Sequence, residues 1–215
     1  MKRKFPLILA IVIGVVAGFL ISSALFAATG FSLFGGFDEK PLSTDDLNNA
    51  ELCALAYRVL EDINSCDYAA LSRVAHPEFG VLFSPQATVD KSANKQFSAA
   101  EIAAFETDTN TYIWGIYSAG GEPIESTPAG YFAEFLNFKD FSAAPVIGIN
   151  RIIRSGNALE NFTDVFPDAQ FVEFHIPGGE QDQSGDSDWD TLRLGFEEYD
   201  GSLWLTVIIR SEWAA

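Results

Sequence analysis

Apolar and polar residues alternate most regularly near the end of the chain. Leu192, Leu194 and Phe196 alternate with Arg193 and Gly195, and Leu203, Leu205, Val207 and Ile209 alternate with Trp204, Thr206 and Arg210. A period of two marks β-strands. Between the runs lies Asp200-Gly201. Both residues tolerate the positive φ of a tight two-residue turn, so the pattern predicts a hairpin with its apolar residues on one side. Such a face needs a cover. Leu52, Leu55, Ala56, Val59, Leu60 and Ile63 fall at i, i+3, i+4, i+7, i+8 and i+11, one stripe of an α-helix, with Ser43 or Thr44 as its N-cap. Asp67 is placed to cap a second helix that carries Tyr68, Leu71 and Val74 inward. That helix stops near His76, because the residue before Pro77 is pushed out of the α region.

Between these ends the chain predicts strands over 80–83, 111–117, 146–153 and 169–176 from their β-branched and aromatic composition. Ser98 with Glu101 is a capping-box pattern for a helix over 99–105, and Thr127-Pro128 opens another through Leu136. Turns fall at 118–123 and 155–157, and 178–188 reads as a polar, acidic loop. Helices come first and strands follow. This segregation predicts the α+β class, with a helix pair packed on a curved antiparallel sheet that ends in a long hairpin.

Ahead of this domain the pattern changes. After Lys2-Arg3-Lys4 no charge appears until Asp38, and residues 5–28 are almost wholly apolar. At ~1.5 Å per residue this run reaches ~36 Å, enough to cross a hydrocarbon core of ~30 Å. The expected organisation is a signal anchor or transmembrane helix over 1–28, a linker over 29–42, and a domain over 43–215. If the leader is cleaved, the domain is secreted instead. The four basic and two acidic residues before Pro41 leave 9 basic and 28 acidic residues in 41–215, a net charge of −19. Such a surface repels phosphate backbones, so nucleic acid is not an expected partner. The basic N-terminus orients the segment with its start in the cytoplasm and the domain outside the membrane.

The order of elements, helix pair then curved sheet then closing hairpin, resembles the nuclear-transport-factor-two-like or cystatin-like cone fold over about residues 43–213. His76-Pro77, Trp114-Gly115, Gly121-Glu122-Pro123-Ile124, Asp188-Trp189, Leu192-Arg193-Leu194 with Phe196-Glu197, and Trp213 are similar to features of single-domain extracytoplasmic bacterial proteins. That resemblance implies a fold and a location and brings no activity.

Residues with chemistry are few. His76 and His175 are the only histidines. In the cone that the resemblance implies, both are expected at the open end, with Glu173 or Asp188 orienting an imidazole as an acid/base pair. The alternative is a helix-end histidine satisfied by a carbonyl and a strand histidine facing solvent. Trp114, Tyr117 and Trp204 are candidate walls of an apolar ligand cavity, against simple core packing. Asp186-Ser187-Asp188-Trp189-Asp190, with Glu197 twelfth, has the oxygen spacing of a calcium loop. However, Thr191 stands where that loop needs glycine. A looser calcium site on Asp182, Asp186 and Asp188 is the remaining metal candidate.

Cys53 lies ~15 Å before the helix end and Cys66 just after it, beyond the ~7 Å Cα limit of a disulfide, so two buried thiols are expected. No GxSxG, phosphate-binding glycine loop or zinc spacing is present. The sequence therefore points to a membrane-anchored extracytoplasmic domain that binds a protein, a cell-envelope component or a small ligand. A small cone-fold enzyme and a calcium-stabilised module are the alternatives.

Overall fold

The computed structural model describes residues 44–117, 120–178 and 188–212. The leader, the linker, Asp182, Asp186 and Trp213 lie outside them. No helix among the described residues is long and apolar enough to cross a membrane.

The amphipathic stripe forms α1 (Thr44–Asn64), and its six apolar residues are all buried. Cys66 turns the chain at φ 53°. Asp67 then caps α2 (Tyr68–Val74), accepting from the Ala70 N–H at 2.8 Å. Both cysteines are free, Cys53 half-buried and Cys66 exposed. This corrects the expectation of two buried thiols: the left-handed turn carries Cys66 out of the core.

β1 (Val81–Ser84) and β2 (Lys95–Phe97) pair antiparallel, and β2 leads to α3 (Ala99–Ala103), where Ser98 and Glu101 complete the capping box. β3 (Tyr112–Ile116) and β4 (Pro123–Ser126) form a separate ribbon. Thr127 caps α4 (Pro128–Tyr131), which widens into a π-helical turn over Phe132–Leu136. A 3-10 turn over Phe141–Ala143 leads into β5 (Val146–Ile149), shorter than the pattern predicted because Asn150 adopts φ 50°. α5 (Phe162–Val165), β6 (Gln170–Ile176), β7 (Asp190–Tyr199) and β8 (Ser202–Glu212) complete the fold.

The class is α+β, and the main sheet runs β2-β1-β8-β7-β6-β5. It is mixed, not purely antiparallel as expected, because β1 runs parallel to β8. The chain enters β1 from the helix pair, at the same end as the turn that starts β8: the His76 N–H donates to Leu205 O at 2.9 Å. Asp200 (φ 50°) and Gly201 (φ 71°) make the predicted turn.

The hairpin departs from its pattern at one place. Register shifts between Gly195 and Phe196, so Phe196 faces Leu205 while Gly195 faces Val207, and Thr206 is the extra residue. A bulge reverses the parity of every side chain beyond it. Leu192, Leu194, Phe196, Leu205 and Ile208 therefore join α1 and α2 in the larger core. Val207 and Ile209 turn to the other face, where they pack with Leu82, Phe162, Phe166 and Phe171. The expectation that all the hairpin's apolar residues share one side is thus corrected, and both sheet faces are covered. Gly195 makes room for the second cover: a Cβ there would lie 2.6 Å from Val207 Cγ1 and 3.1 Å from Phe162 Cε2.

Candidate functional site

The two histidines sit at opposite ends of the long hairpin. His76 closes the turn after α2, and its buried Nδ1 accepts from the backbone N–H groups of Glu78 (3.2 Å) and Phe79 (3.1 Å). Its ring also stacks on Phe79, centroids 4.7 Å apart, so it acts as a bracket for the turn. His175 lies on β6 opposite Thr191, which lies opposite Ser211. Along β8, Leu205 beside His76 and Ser211 at the level of His175 are separated by about 20 Å at ~3.4 Å per residue. The histidines therefore do not share one site.

Glu173 does not orient His175 either. Its fully buried carboxylate accepts from the Ile153 N–H at 2.8 Å, from Arg193 Nε at 2.9 Å and from Arg193 Nη2 at 2.6 Å. Arg193 also forks onto Glu160, at 2.9 and 2.7 Å. Its guanidinium lies over the rings of Phe162 and Phe171, 5.1 and 5.4 Å from their centroids. Burial opposes this charge, yet the bonds to Glu160 and the nearby Glu173 outweigh it and hold the Arg193 pKa above its ordinary value. The triad fastens the segment around 153–162 to the outer sheet face. An Arg at a strand position facing a Glu on the neighbouring strand was the available signal for it, hidden because the pairing of β6 with β7 was not known.

The three candidate aromatics separate as well. Trp114 is fully buried, donates from Nε1 to Ser126 O at 2.9 Å, and stacks on Tyr131 at 3.8 Å and 6°. Trp204 lies near the hairpin turn and donates to Tyr199 O at 3.1 Å. Tyr117 is 40% exposed and reaches Glu134 at 3.4 Å. Of the proposed calcium ligands only Asp188 is described; it is exposed, with φ 65°. No group of His, Cys, Asp and Glu among the described residues is arranged to hold a metal.

Instead, unsatisfied polar atoms collect where β6 ends, β7 begins and β8 ends. Tyr131 Oη, His175 Nδ1, Trp189 Nε1 and Arg210 Nε are buried there without hydrogen-bond partners among the described residues. On the inner face, Arg210 Nη2 donates to Asp190 Oδ1 at 2.9 Å and also to Glu212, while Lys139 pairs with Asp190 Oδ2. The Arg210 guanidinium lies 4.4 Å from the Phe138 ring centroid. Tyr131 is stacked between Trp114 and Phe135. Burial pushes its hydroxyl pKa well up, and the charge of nearby Arg210 pulls the other way.

On the outer face, His175 and Trp189 have ring centroids 6.0 Å apart, and Arg154 lies over Trp189 at 5.9 Å. Burial lowers the His175 pKa, Arg154 lowers it further, and Asp190 opposes both. The inner pair presents two donors, a phenol O–H and a guanidinium N–H, in a dry setting. Such donors suit a carbonyl or carboxylate acceptor. Tyr131, Asp190 and Arg210 carry no signal in the alternation, since the bulge that turns Arg210 inward leaves no mark there.

No protein-family model matches this chain, and a comparison with curated proteins finds no match.

Proposed function

We propose that the protein is a membrane-anchored extracytoplasmic domain that binds a ligand without transforming it, through the inner sheet end that holds Tyr131 and Arg210. The apolar leader and the basic start of the chain support the anchored orientation. The order of helix pair, sheet and closing hairpin supports a cone-like arrangement with this end as its mouth. One observation carries the recognition site: among the described residues the buried Tyr131 hydroxyl has no partner, the charge of Arg210 acts on it, and Arg210 Nε has no partner either. An unsatisfied buried donor costs about 1–3 kcal/mol, and a ligand oxygen that accepts from either group relieves that cost.

Protease added to intact cells is expected to digest the domain while the leader stays in the membrane fraction. Recovery of intact protein in the cytoplasmic fraction refutes the anchored orientation. For the site, acetate serves as the simplest carboxylate. It is expected to raise the unfolding temperature of the full chain saturably, and Tyr131→Phe is expected to abolish that rise; an equal rise in both proteins rules the site out.

A further inference from the structure

The main sheet has two edges, and they are treated differently. β2 is three residues long and opens with Lys95, whose ammonium lies over the Phe97 and Tyr112 rings at 5.1 and 4.9 Å. A short edge carrying a lysine resists strand addition. β5 has no charged residue, and its Val146 and Ile147 are 40% and 37% exposed. The Asn150 N–H donates to Phe171 O at 2.8 Å, and the register continues through Gly148↔Glu173 and Val146↔His175. Hydrogen-bonded pairs recur every second residue in an antiparallel ladder. Ile147 and Ile149 therefore turn their N–H and C=O groups away from β6, to the open edge.

Ile147 lies opposite Phe174 and shares its face. On that face Tyr57 of α1 meets Phe174 edge-on at 5.3 Å. Tyr57 also lines a groove of about 570 Å³ together with Arg58, Glu61, Asn64, Ser65 and Ser142, the last in the 3-10 turn that runs into β5. An edge that pairs with no further described strand, near a helix-walled groove, fits a peptide that adds a strand by backbone bonds and sets alternate side chains into the groove.

Charge narrows the partner. Residues 141–159 contain no acidic residue and include the exposed Arg151, inside a domain of net charge −19. Two copies meeting at this edge would bring like charges together, whereas an acidic chain would find its complement here. We infer that β5 is a docking strand for an extended, acidic peptide of another polypeptide with apolar residues at alternate positions. This inference deepens the reading of the protein as a binding domain by naming a partner class and a second surface.

The test uses the full chain in nanodiscs and a fluorescein-labelled octapeptide of alternating valine and glutamate, followed by anisotropy and by hydrogen exchange. The peptide is expected to bind saturably and to slow amide exchange in 146–149. A peptide alternating valine and lysine is expected to bind about tenfold more weakly or worse. Ile147→Pro removes an outward N–H and no ladder bond, so the protein is expected to stay folded and lose about tenfold or more in affinity. Arg151→Glu, which leaves the strand backbone untouched, is expected to do the same.

Absence of saturable binding up to about 1 mM, equal binding of the two peptides, or unchanged affinity in both variants overturns the inference. So does a concentration-dependent dimer that Ile147→Pro dissolves, which would give the edge to a second copy. An acetate effect that depends on Tyr131 would survive any of these failures, so the two readings fail separately.

Discussion

Arg193 is a cation held out of water by two carboxylates and two aromatic rings. Removing one member of a buried charge group leaves the others uncompensated, at a cost of about 3–5 kcal/mol. Arg193→Ala is expected to lose stability on that scale in urea unfolding. The double variant Glu173→Leu/Arg193→Leu removes both fully buried charges and is expected to recover much of the loss. His175 acts through pH. Burial and Arg154 lower its folded pKa, so the unfolded chain, with a value of about 6.5, takes up the proton first as pH falls. Its contribution is present above about 6.5 and is lost as pH falls from there through the lowered folded value. The fall in unfolding temperature between pH 7.5 and 5.5 is expected to be smaller in His175→Asn than in the natural chain.

Among the elements, the helices follow their local signals and the sheet does not follow its own so closely. The Glu101 carboxylate bonds the Ser98 hydroxyl and N–H, which lowers its pKa. Stability from this cap is present above the ordinary carboxylate range and is lost on acidification. Ser98→Ala is expected to cost about 1 kcal/mol at neutral pH and to flatten the acid slope of thermal unfolding. Gly195 holds the bulge against α5. Gly195→Ala forces a methyl onto Val207 and Phe162 and is expected to cost about 1–3 kcal/mol by overpacking, measurable in the same unfolding experiment.

Caps, the α1 stripe and the Asp200-Gly201 turn were legible because each is written in neighbouring residues. The bulge at Thr206, the parallel pairing of β1 with β8 and the Glu160–Arg193–Glu173 triad were not. Each depends on residues that meet only after long loops close, and alternation within one strand does not record which partner it has. The same limit explains the candidate residues. His76, Trp114 and Trp204 carry side chains suited to catalysis or ligand binding, and the fold uses them as a bracket, as core and near a turn.

At the scale of the molecule, charge and topology act together. The acidic exterior and the exposed Arg151 just after β5 divide the surface between solvation and the proposed peptide edge. The pairing of β1 with β8 has a further effect. The first strand of the sheet waits for the last to be synthesised, so a nascent chain still short of residue 202 has β6 and β7 but nothing to join them to β1. Ribosome-bound chains ending before β8 are expected to be cut by protease at rates typical of unfolded polypeptide, and those extended past Glu212 by a spacer are expected to resist. Because β1 pairs with β8 as well as with β2, the sheet that separates the two cores closes only once residues 202–212 have been added.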